Sequence, residues 1–143
     1  MKHLLLWRHG EAGNARTDLE RELTEYGQAQ AQRTAQWLHA QNLDLTVISS
    51  QAQRTQQTAG FYKQPDAVCA QINPGTAIDA VLAFIEAQTA EQLLVVGHQS
   101  WVGQVVSYYL TGEKDYLALN TSDLWWLQCD EAGHWTLKEK YVS

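Results

Sequence analysis

Cysteine and proline are both scarce in this chain, at two residues each among 143. Cys69 and Cys129 are too few for a disulfide framework, and neither has other metal-type ligands close by in the sequence. No apolar run approaches the roughly 20 residues that a membrane-spanning helix needs, and the run near the N-terminus is too short for a signal peptide. We therefore expect a protein of the cytoplasm that has no membrane partner.

Positive charge is scarce over the second part of the chain. Residues 1–60 hold six basic and six acidic residues, whereas residues 61–143 hold four basic and ten acidic ones, which accounts for the net charge of -6. A nucleic-acid-binding protein needs a basic surface, so nucleic acid is not an expected partner. All five arginines lie within the first 54 residues, and such a local cluster suits the binding of a small anion.

The length and composition are those of one globular domain. A chain of 143 residues can bury a real core, and 45% hydrophobic with 18% charged residues is typical of a folded protein. Neither an internal repeat nor a low-complexity linker interrupts the sequence. We therefore expect a single domain over residues 1–143.

Apolar runs and periodic segments alternate along the sequence. The runs predict five strands, at 3–7, 45–48, 92–98, 124–129 and 135–141. The periodic segments predict four helices, at 24–41, 51–62, 76–88 and 100–110, with Thr24 and Thr76 as N-caps. This order favours an α/β fold, a three-layer α/β/α sandwich with a mainly parallel sheet and an antiparallel edge.

Polar side chains follow three of the predicted strands where each strand ends. They are Arg8 and His9, Ser49 and Ser50, and His98, with Arg54 one helical turn after the second pair. In a parallel sheet these strand ends meet at one edge, where open α/β folds place their binding crevice. Two arginines and two histidines at one crevice make an oxyanion site with room for a nucleophile.

These residue types are suited to phosphoryl transfer. Guanidinium groups can bind phosphoryl oxygens in pairs and neutralise charge during transfer. A neutral imidazole is a competent nucleophile near pH 7. Because the arginines supply the positive charge, we expect neither a metal nor any other cofactor; the sequence lacks a lysine-bearing phosphate loop and a carboxylate cluster.

Each of these residues alone also has a plain structural explanation. His98 could be a core histidine and Arg54 a surface arginine. Ser49 and Ser50 fit helix caps better than nucleophiles. Together, however, a structural explanation must account for independent cationic groups at the ends of three parallel strands.

Three sequence blocks resemble those of the histidine phosphatase superfamily, which has the phosphoglycerate mutase-like fold. The blocks are Arg8-His9-Gly10-Glu11, then Ser49-Ser50 with Arg54-Thr55 and Gln57-Thr58, then Gly97-His98. The small size and the missing insertions are most similar to the SixA-type phosphohistidine phosphatases. Further likeness lies in Asp18, Arg21, Leu23-Thr24 and Asn73-Pro74-Gly75.

The resemblance implies a role for each matching residue. His9 would be the nucleophile that carries a phosphohistidine intermediate. Arg8, Arg54 and His98 would bind the phosphoryl group. Gly10 and the backbone N–H of Gln99 would assist substrate binding, and Asp18 and Arg21 would help a protein substrate dock.

The resemblance also draws attention to a missing acid. Larger members protonate the leaving oxygen with an acidic residue from an inserted segment, and no clear equivalent is found here. Glu11 and Asp18 stay open as alternatives. A phosphoramidate needs such an acid less than an ester does, because protonated imidazole is a good leaving group.

Three functions are compatible with these residues. The first is a phosphohistidine phosphatase that acts on a phosphotransfer protein of a signalling relay. The second is a small-molecule phosphatase acting on a sugar or nucleotide phosphate ester. The third is a phosphoryl-binding regulatory module without turnover, which would not need both His9 and His98.

Overall fold

Two strands, β1 (His3–Arg8) and β4 (Gln92–Gly97), form the middle of a six-stranded sheet in the computed structural model, which describes all of residues 1–143. The other strands are β2 (Thr46–Ser49), β3 (Ala67–Val68), β5 (Leu124–Cys129) and β6 (Trp135–Tyr141). The strand order is β3-β2-β4-β1-β5-β6. The first four in this order are parallel, and β5 and β6 are antiparallel. The predicted sheet is thereby confirmed.

Four helices cover the two faces of the sheet. They are α1 (Glu25–His39), α2 (Gln53–Gly60), α3 (Ile78–Glu86) and α4 (Val102–Thr111). None of them is long and apolar enough to cross a membrane.

Alternate residues of β1 divide the apolar core into two layers. Leu4 and Leu6 belong to the cluster that contains α3 and α4 side chains, whereas Leu5 and Trp7 pack with α1 and α2 side chains. All four are fully buried because helices cover both faces of this central strand. Burying one large apolar side chain stabilises the fold by about 1.5–3 kcal/mol. The arrangement confirms the three-layer α/β/α sandwich.

Local sequence signals give most of the element boundaries. The Thr24 hydroxyl accepts from the Gly27 N–H and caps α1, as predicted. The prediction for Thr76 is wrong: its hydroxyl donates to the Asn73 carbonyl, and α3 begins at Ile78 without a side-chain cap. Strand β3 was not predicted because it is two exposed residues long, too short to show an alternation.

Glycine is required where α1 meets the segment after β1. A Cβ on Gly27 would overlap the Glu11 carbonyl oxygen, and one on Gly10 would lie 2.6 Å from the Gly27 carbonyl oxygen. Neither backbone can move freely, since the Thr24 N–H donates to the Glu11 carbonyl. This close contact fixes the backbone immediately after His9.

We expect Gly27→Ala to lower the free energy of unfolding by about 1–3 kcal/mol, the usual cost of overpacking. Gly60→Ala is the matched control, because a Cβ at this α2 position meets nothing within 4 Å. Alanine there should leave stability unchanged or raise it by about 0.5–1 kcal/mol through helix propensity. Urea denaturation measures both changes, and equal effects would contradict the proposed contact.

Candidate active site

The ends of β1, β2 and β4 lie side by side, as the sequence predicts. Arg8 is in register with Gly97 on β4, and Ser49 is in register with Val96. The His9 N–H extends the ladder by donating to the Gly97 carbonyl. His9 and His98 are therefore brought together, with ring centroids 5.4 Å apart.

The backbone next to His9 fixes the orientation and tautomer of its ring. Its Nδ1 lies 2.6 Å from the Gly10 carbonyl oxygen. Because a carbonyl only accepts, Nδ1 carries the hydrogen and Nε2 keeps its lone pair. The Gly10 N–H donates to the Thr58 hydroxyl at 3.0 Å, so in this structure Gly10 holds the His9 ring. A neutral imidazole with a free Nε2 can act as a nucleophile.

The hydroxyl groups of Ser50 and Thr55 form a hydrogen-bonded chain that ends at His98 Nε2. Nε2 lies 2.7 Å from the Ser50 hydroxyl, which lies 2.7 Å from the Thr55 hydroxyl, while Nδ1 is buried without a partner. The Thr55 hydroxyl has one hydrogen, and the Ser50 and Ala52 carbonyl oxygens, at 3.2 and 3.0 Å, also accept it. His98 Nδ1 can donate to an anion only in the tautomer in which Ser50 donates to Nε2. Sequence reasoning missed this positioning role, for which serine at a strand end was the only signal.

The two arginines are each held at one end of the guanidinium group. Arg54 is only 3% exposed, and its Nη1 and Nη2 donate to the backbone oxygen and carboxylate of Asp18, at 2.7 and 3.0 Å. Arg8 donates through Nη1 to the Leu119 carbonyl. The Nε atoms of both arginines are buried without a protein partner.

Three buried nitrogen atoms of the site have no hydrogen-bond partner within the protein: Arg8 Nε, Arg54 Nε and His98 Nδ1. Only six buried side-chain polar atoms of the chain share this property, so half of them lie here. Buried donors in folded proteins are almost always paired, because an unpaired one costs about 1–3 kcal/mol. An anion with several oxygens could accept from both guanidinium Nε–H groups at once, and from His98 Nδ1 when that atom carries the hydrogen.

Asp18 and Arg21 lie beside the site and bind each other. The Arg21 Nη1 is 3.3 Å from the Asp18 carboxylate, and Arg21 Nε donates to the Gly13 carbonyl at 2.8 Å. The side chain of Gln99 bonds the Leu117 and Leu119 backbone, which leaves its backbone N–H as the group for the predicted role. Their part in substrate binding stays a prediction.

Of the two alternative acids, Asp18 is held in its ionised form. Hydrogen bonding to the Arg54 guanidinium holds the pKa of the Asp18 carboxyl below its ordinary value, so this group is ionised at neutral pH. The Glu11 carboxylate accepts from the Thr24 hydroxyl at 2.9 Å. The chain contains no cluster of three His, Cys, Asp or Glu side chains that could hold a metal ion.

Burial keeps both histidines neutral. Desolvation lowers the pKa of His9 to about 4; the Gly10 hydrogen bond opposes this shift, and the charges of Arg54 and Arg8 add to it. Desolvation also lowers the pKa of His98, with further lowering from His9 and Arg54. The Nε2 lone pair of His9 is therefore available throughout the neutral range.

The site lies outside the two cavities of the fold. The smaller, about 300 Å³, is lined by Gln28, Gln57, Gly60 and Phe61. The larger, about 570 Å³, lies where the end of α4 meets Trp135 at the start of β6. The histidine pair therefore does not adjoin an enclosed cavity.

A family model for the histidine phosphatase superfamily (branch 1) matches residues 4–75, just over half of the chain. The match includes His9 and Arg54 and ends before His98. No curated protein matches the sequence.

Several solved structures are similar over nearly the whole chain. The protein histidine phosphatase SixA, solved with tungstate, is 27% identical over 98% of this chain and 96% of its own, with a TM-score of 0.83. A protein assigned as a phosphohistidine phosphatase SixA from Agrobacterium tumefaciens is 25% identical over 99% and 98%, with a TM-score of 0.81. A mycobacterial glucosyl-3-phosphoglycerate phosphatase is 16% identical over 100% of both chains with a TM-score of 0.73, which shows the fold alone.

Burial of His9 makes stability depend on pH. The unfolded histidine takes up a proton below its ordinary pKa of 6.5, whereas the folded one does so only near pH 4. The contribution of neutral His9 to the free energy of unfolding is therefore nearly full above about pH 6.5 and falls as the pH drops toward 4. Protonation of His9 in the unfolded chain alone should lower the free energy of unfolding by about 2 kcal/mol between pH 7 and pH 5.

Urea denaturation of the wild type and His9→Asn at both pH values measures this contribution. The asparagine variant should lose about 2 kcal/mol less than the wild type over the same interval. An equal loss in both proteins would show that the His9 imidazole is not held neutral by the fold.

Proposed function

The chain belongs to branch 1 of the histidine phosphatase superfamily and is a phosphatase of that fold, and on this premise we propose that it removes phosphate from phosphohistidine. The substrate would be a phosphotransfer protein of a signalling relay in the cytoplasm. His9 is the proposed nucleophile, and Arg8, Arg54 and His98 are the proposed phosphoryl-binding residues.

The observation that carries this proposal is the set of three unpartnered nitrogens, Arg8 Nε, Arg54 Nε and His98 Nδ1. A phosphoryl group offers three terminal oxygens, two of which can accept from the guanidinium Nε–H groups while the third faces His98 Nδ1. Two of the donors are charged, so their hydrogen bonds to an oxyanion are the strong kind. Tungstate in the similar SixA structure is also an oxyanion, which supports this assignment.

The reaction would proceed in two displacements. In the first, His9 Nε2 attacks the phosphorus atom and the P–N bond of the substrate breaks. The phosphorylated imidazole of the substrate carries a hydrogen on its other nitrogen, so that it leaves as neutral imidazole. In the second, water attacks the phosphorus atom, the bond to Nε2 breaks, inorganic phosphate leaves and the proton of the water passes to solvent. The two guanidinium groups stabilise the charge on the phosphoryl oxygens in both steps.

A phosphoramidate suits this site better than an ester does. An alkoxide leaving group needs a positioned acid, and the Asp18 carboxyl has its pKa lowered by Arg54, which makes it a poor acid at neutral pH. The substrate imidazole can carry its own proton before the P–N bond breaks. The ionised state of the Asp18 carboxyl therefore supports a phosphohistidine substrate.

The location of both cavities away from the histidine pair favours a protein substrate. Sites for small molecules are commonly clefts of about 300–1,000 Å³ that enclose most of the ligand. Both cavities of that size lie elsewhere in this fold. A phosphorylated side chain projecting from a protein surface needs no enclosing walls, since the partner itself covers the site.

Replacement of the proposed nucleophile should abolish turnover. We expect His9→Ala to lower the rate of phosphate release by at least about a thousandfold, since the covalent route is lost. The wild type, quenched during turnover of a ³²P-labelled substrate, should carry a label that is stable in base and lost in acid. His134→Ala, at an exposed position of the β5–β6 turn, is the matched control and should stay active. An acid-stable adduct would assign the nucleophile to Ser49 or Ser50 instead.

Substrate preference separates the proposal from its main alternative. The purified protein is offered a phosphotransfer domain that bears phosphohistidine and, in parallel, a panel of sugar and nucleotide phosphate esters. We expect kcat/KM to be at least about a hundredfold higher for the domain, because the ester reaction lacks its acid. Turnover of esters alone would reject the phosphohistidine assignment and favour a small-molecule phosphatase.

A further inference from the structure

We propose that Asp18 is a positioning residue that orients Arg54 for phosphoryl binding. Its carboxylate and backbone oxygen hold the terminal edge of the guanidinium group, so that the Nε edge faces the phosphoryl group. The inference rests on the proposed function, because it concerns the same phosphoryl site. It differs from a role for Asp18 in docking the substrate, since the contact partner lies within the protein.

The hydrogen bonds of Arg54 leave only one edge of its guanidinium group free. A guanidinium group has five N–H donors in one plane, with one edge formed by the two Nη atoms and the other by Nε and one Nη. In Arg54 both Nη atoms donate to Asp18, at 2.7 and 3.0 Å, while Nε is buried without a partner. A bidentate oxyanion can therefore be bound only through the edge that contains Nε.

Arg8 shows the same division of donors. Its Nη1 donates to the Leu119 carbonyl and its Nε is buried without a partner. Two arginines from different elements thus have one end fixed by the protein and Nε left over. The holding groups differ, since Arg8 is held by a backbone carbonyl alone, whereas Arg54 is held partly by a side chain. Only the Arg54 contact can therefore be removed by substitution.

Asp18 is itself held in place. It begins a short 3-10 helix, Asp18–Glu20, and its second carboxylate oxygen lies 3.3 Å from Arg21 Nη1. Arg21 is fixed by the Gly13 carbonyl, which its Nε reaches at 2.8 Å. The carboxylate therefore bridges Arg21 and Arg54, and the 10–22 segment is tied to α2 through it.

The position of Arg54 in its helix explains the need for this contact. Arg54 lies in the first turn of α2, where a positive charge opposes the helix dipole, and Ala52 offers no side-chain cap. Nearly all of the side chain is buried, so water cannot compensate the charge. An ionised carboxylate at 3.0 Å offsets both costs and also fixes the direction of the group.

Two substitutions separate orientation from charge. Asp18→Asn keeps a side-chain oxygen that can accept from Arg54 Nη2 and removes the charge, whereas Asp18→Ala removes both the side-chain oxygen and the charge. The main-chain oxygen that accepts from Nη1 stays in both variants. If Asp18 acts by orienting Arg54, kcat for a phosphohistidine-bearing phosphotransfer domain should fall about tenfold or more in Asp18→Ala. In Asp18→Asn it should stay within about threefold of the wild type. KM should change little in either variant if Asp18 does not touch the partner.

Asp44→Ala is the matched control. It removes an exposed carboxylate just before β2, at the opposite edge of the sheet, and should leave both constants unchanged. Wild-type kcat in Asp18→Ala would overturn the inference. So would equal losses in the alanine and asparagine variants, because the charge itself would then be the active feature. A rise in KM alone would assign Asp18 to substrate docking and would also overturn it.

Nitrogen NMR of the arginine side chains gives a readout that a merely structural role would not move. The chain has five arginines, so their Nε–H resonances can be assigned by substitution. Inorganic phosphate added to the wild type should shift the resonances of Arg8 and Arg54. In Asp18→Ala the Arg54 shift should shrink while the Arg8 shift persists as the internal reference.

The same phosphate titration distinguishes failure of the proposed phosphoryl site from failure of the role of Asp18. If phosphate moves neither resonance in the wild type, the proposed phosphoryl site fails, and the inference about Asp18 fails with it. If both resonances move equally in the wild type and in Asp18→Ala, the phosphoryl site stands and the role of Asp18 is overturned.

Discussion

Parallel pairing of β1 with β4 is the interaction on which the site depends. The register sets Arg8 opposite Gly97, and the His9 N–H continues the ladder to the Gly97 carbonyl. Side chains alternate along a strand, so a slip of one residue would exchange the two core layers and turn His9 away from His98. The buried Leu4–Trp7 run holds this register, because only one alignment places each side chain in its own layer. Core packing and site geometry are thus one constraint.

A second constraint comes from burying cationic and titratable groups at the strand ends. The protein does not surround them with acids; it holds each with few contacts, such as the Leu119 carbonyl for Arg8 and the hydroxyl of Ser50 for His98. At both arginines the partners hold terminal Nη atoms and leave Nε free, and at His98 the Ser50 hydroxyl lies on Nε2 and leaves Nδ1 free. Desolvation then keeps both imidazoles neutral, which preserves a nucleophile without a general base.

Much of the fold and the main side chains of the site could be predicted from sequence, because both follow from where apolar runs end. The β5 and β6 boundaries were predicted because apolar and bulky residues flank a clear turn at 130–133. The partners of the predicted residues could not be found this way. The contacts of Ser50 with His98 and of Asp18 with Arg54 join positions 48 and 36 residues apart, and no periodicity encodes them. Thr76 failed as a cap because a local bond to Asn73 competes for its hydroxyl.

The contact between Arg8 and Leu119 spans 111 residues, and Trp7 donates to Ser122 across 115. The contacts that hold the end of β1, immediately before His9, therefore come from residues far away in the sequence, just before β5. In the fold β1 pairs with β4 on one side and with β5 on the other, so neither of its edges is exposed. Such long-range closure also predicts slow folding for a domain of this size. Activity should thus require the whole domain to be folded, because the part of the chain that bears Arg8 and His9 is held in place by residues far away in the sequence.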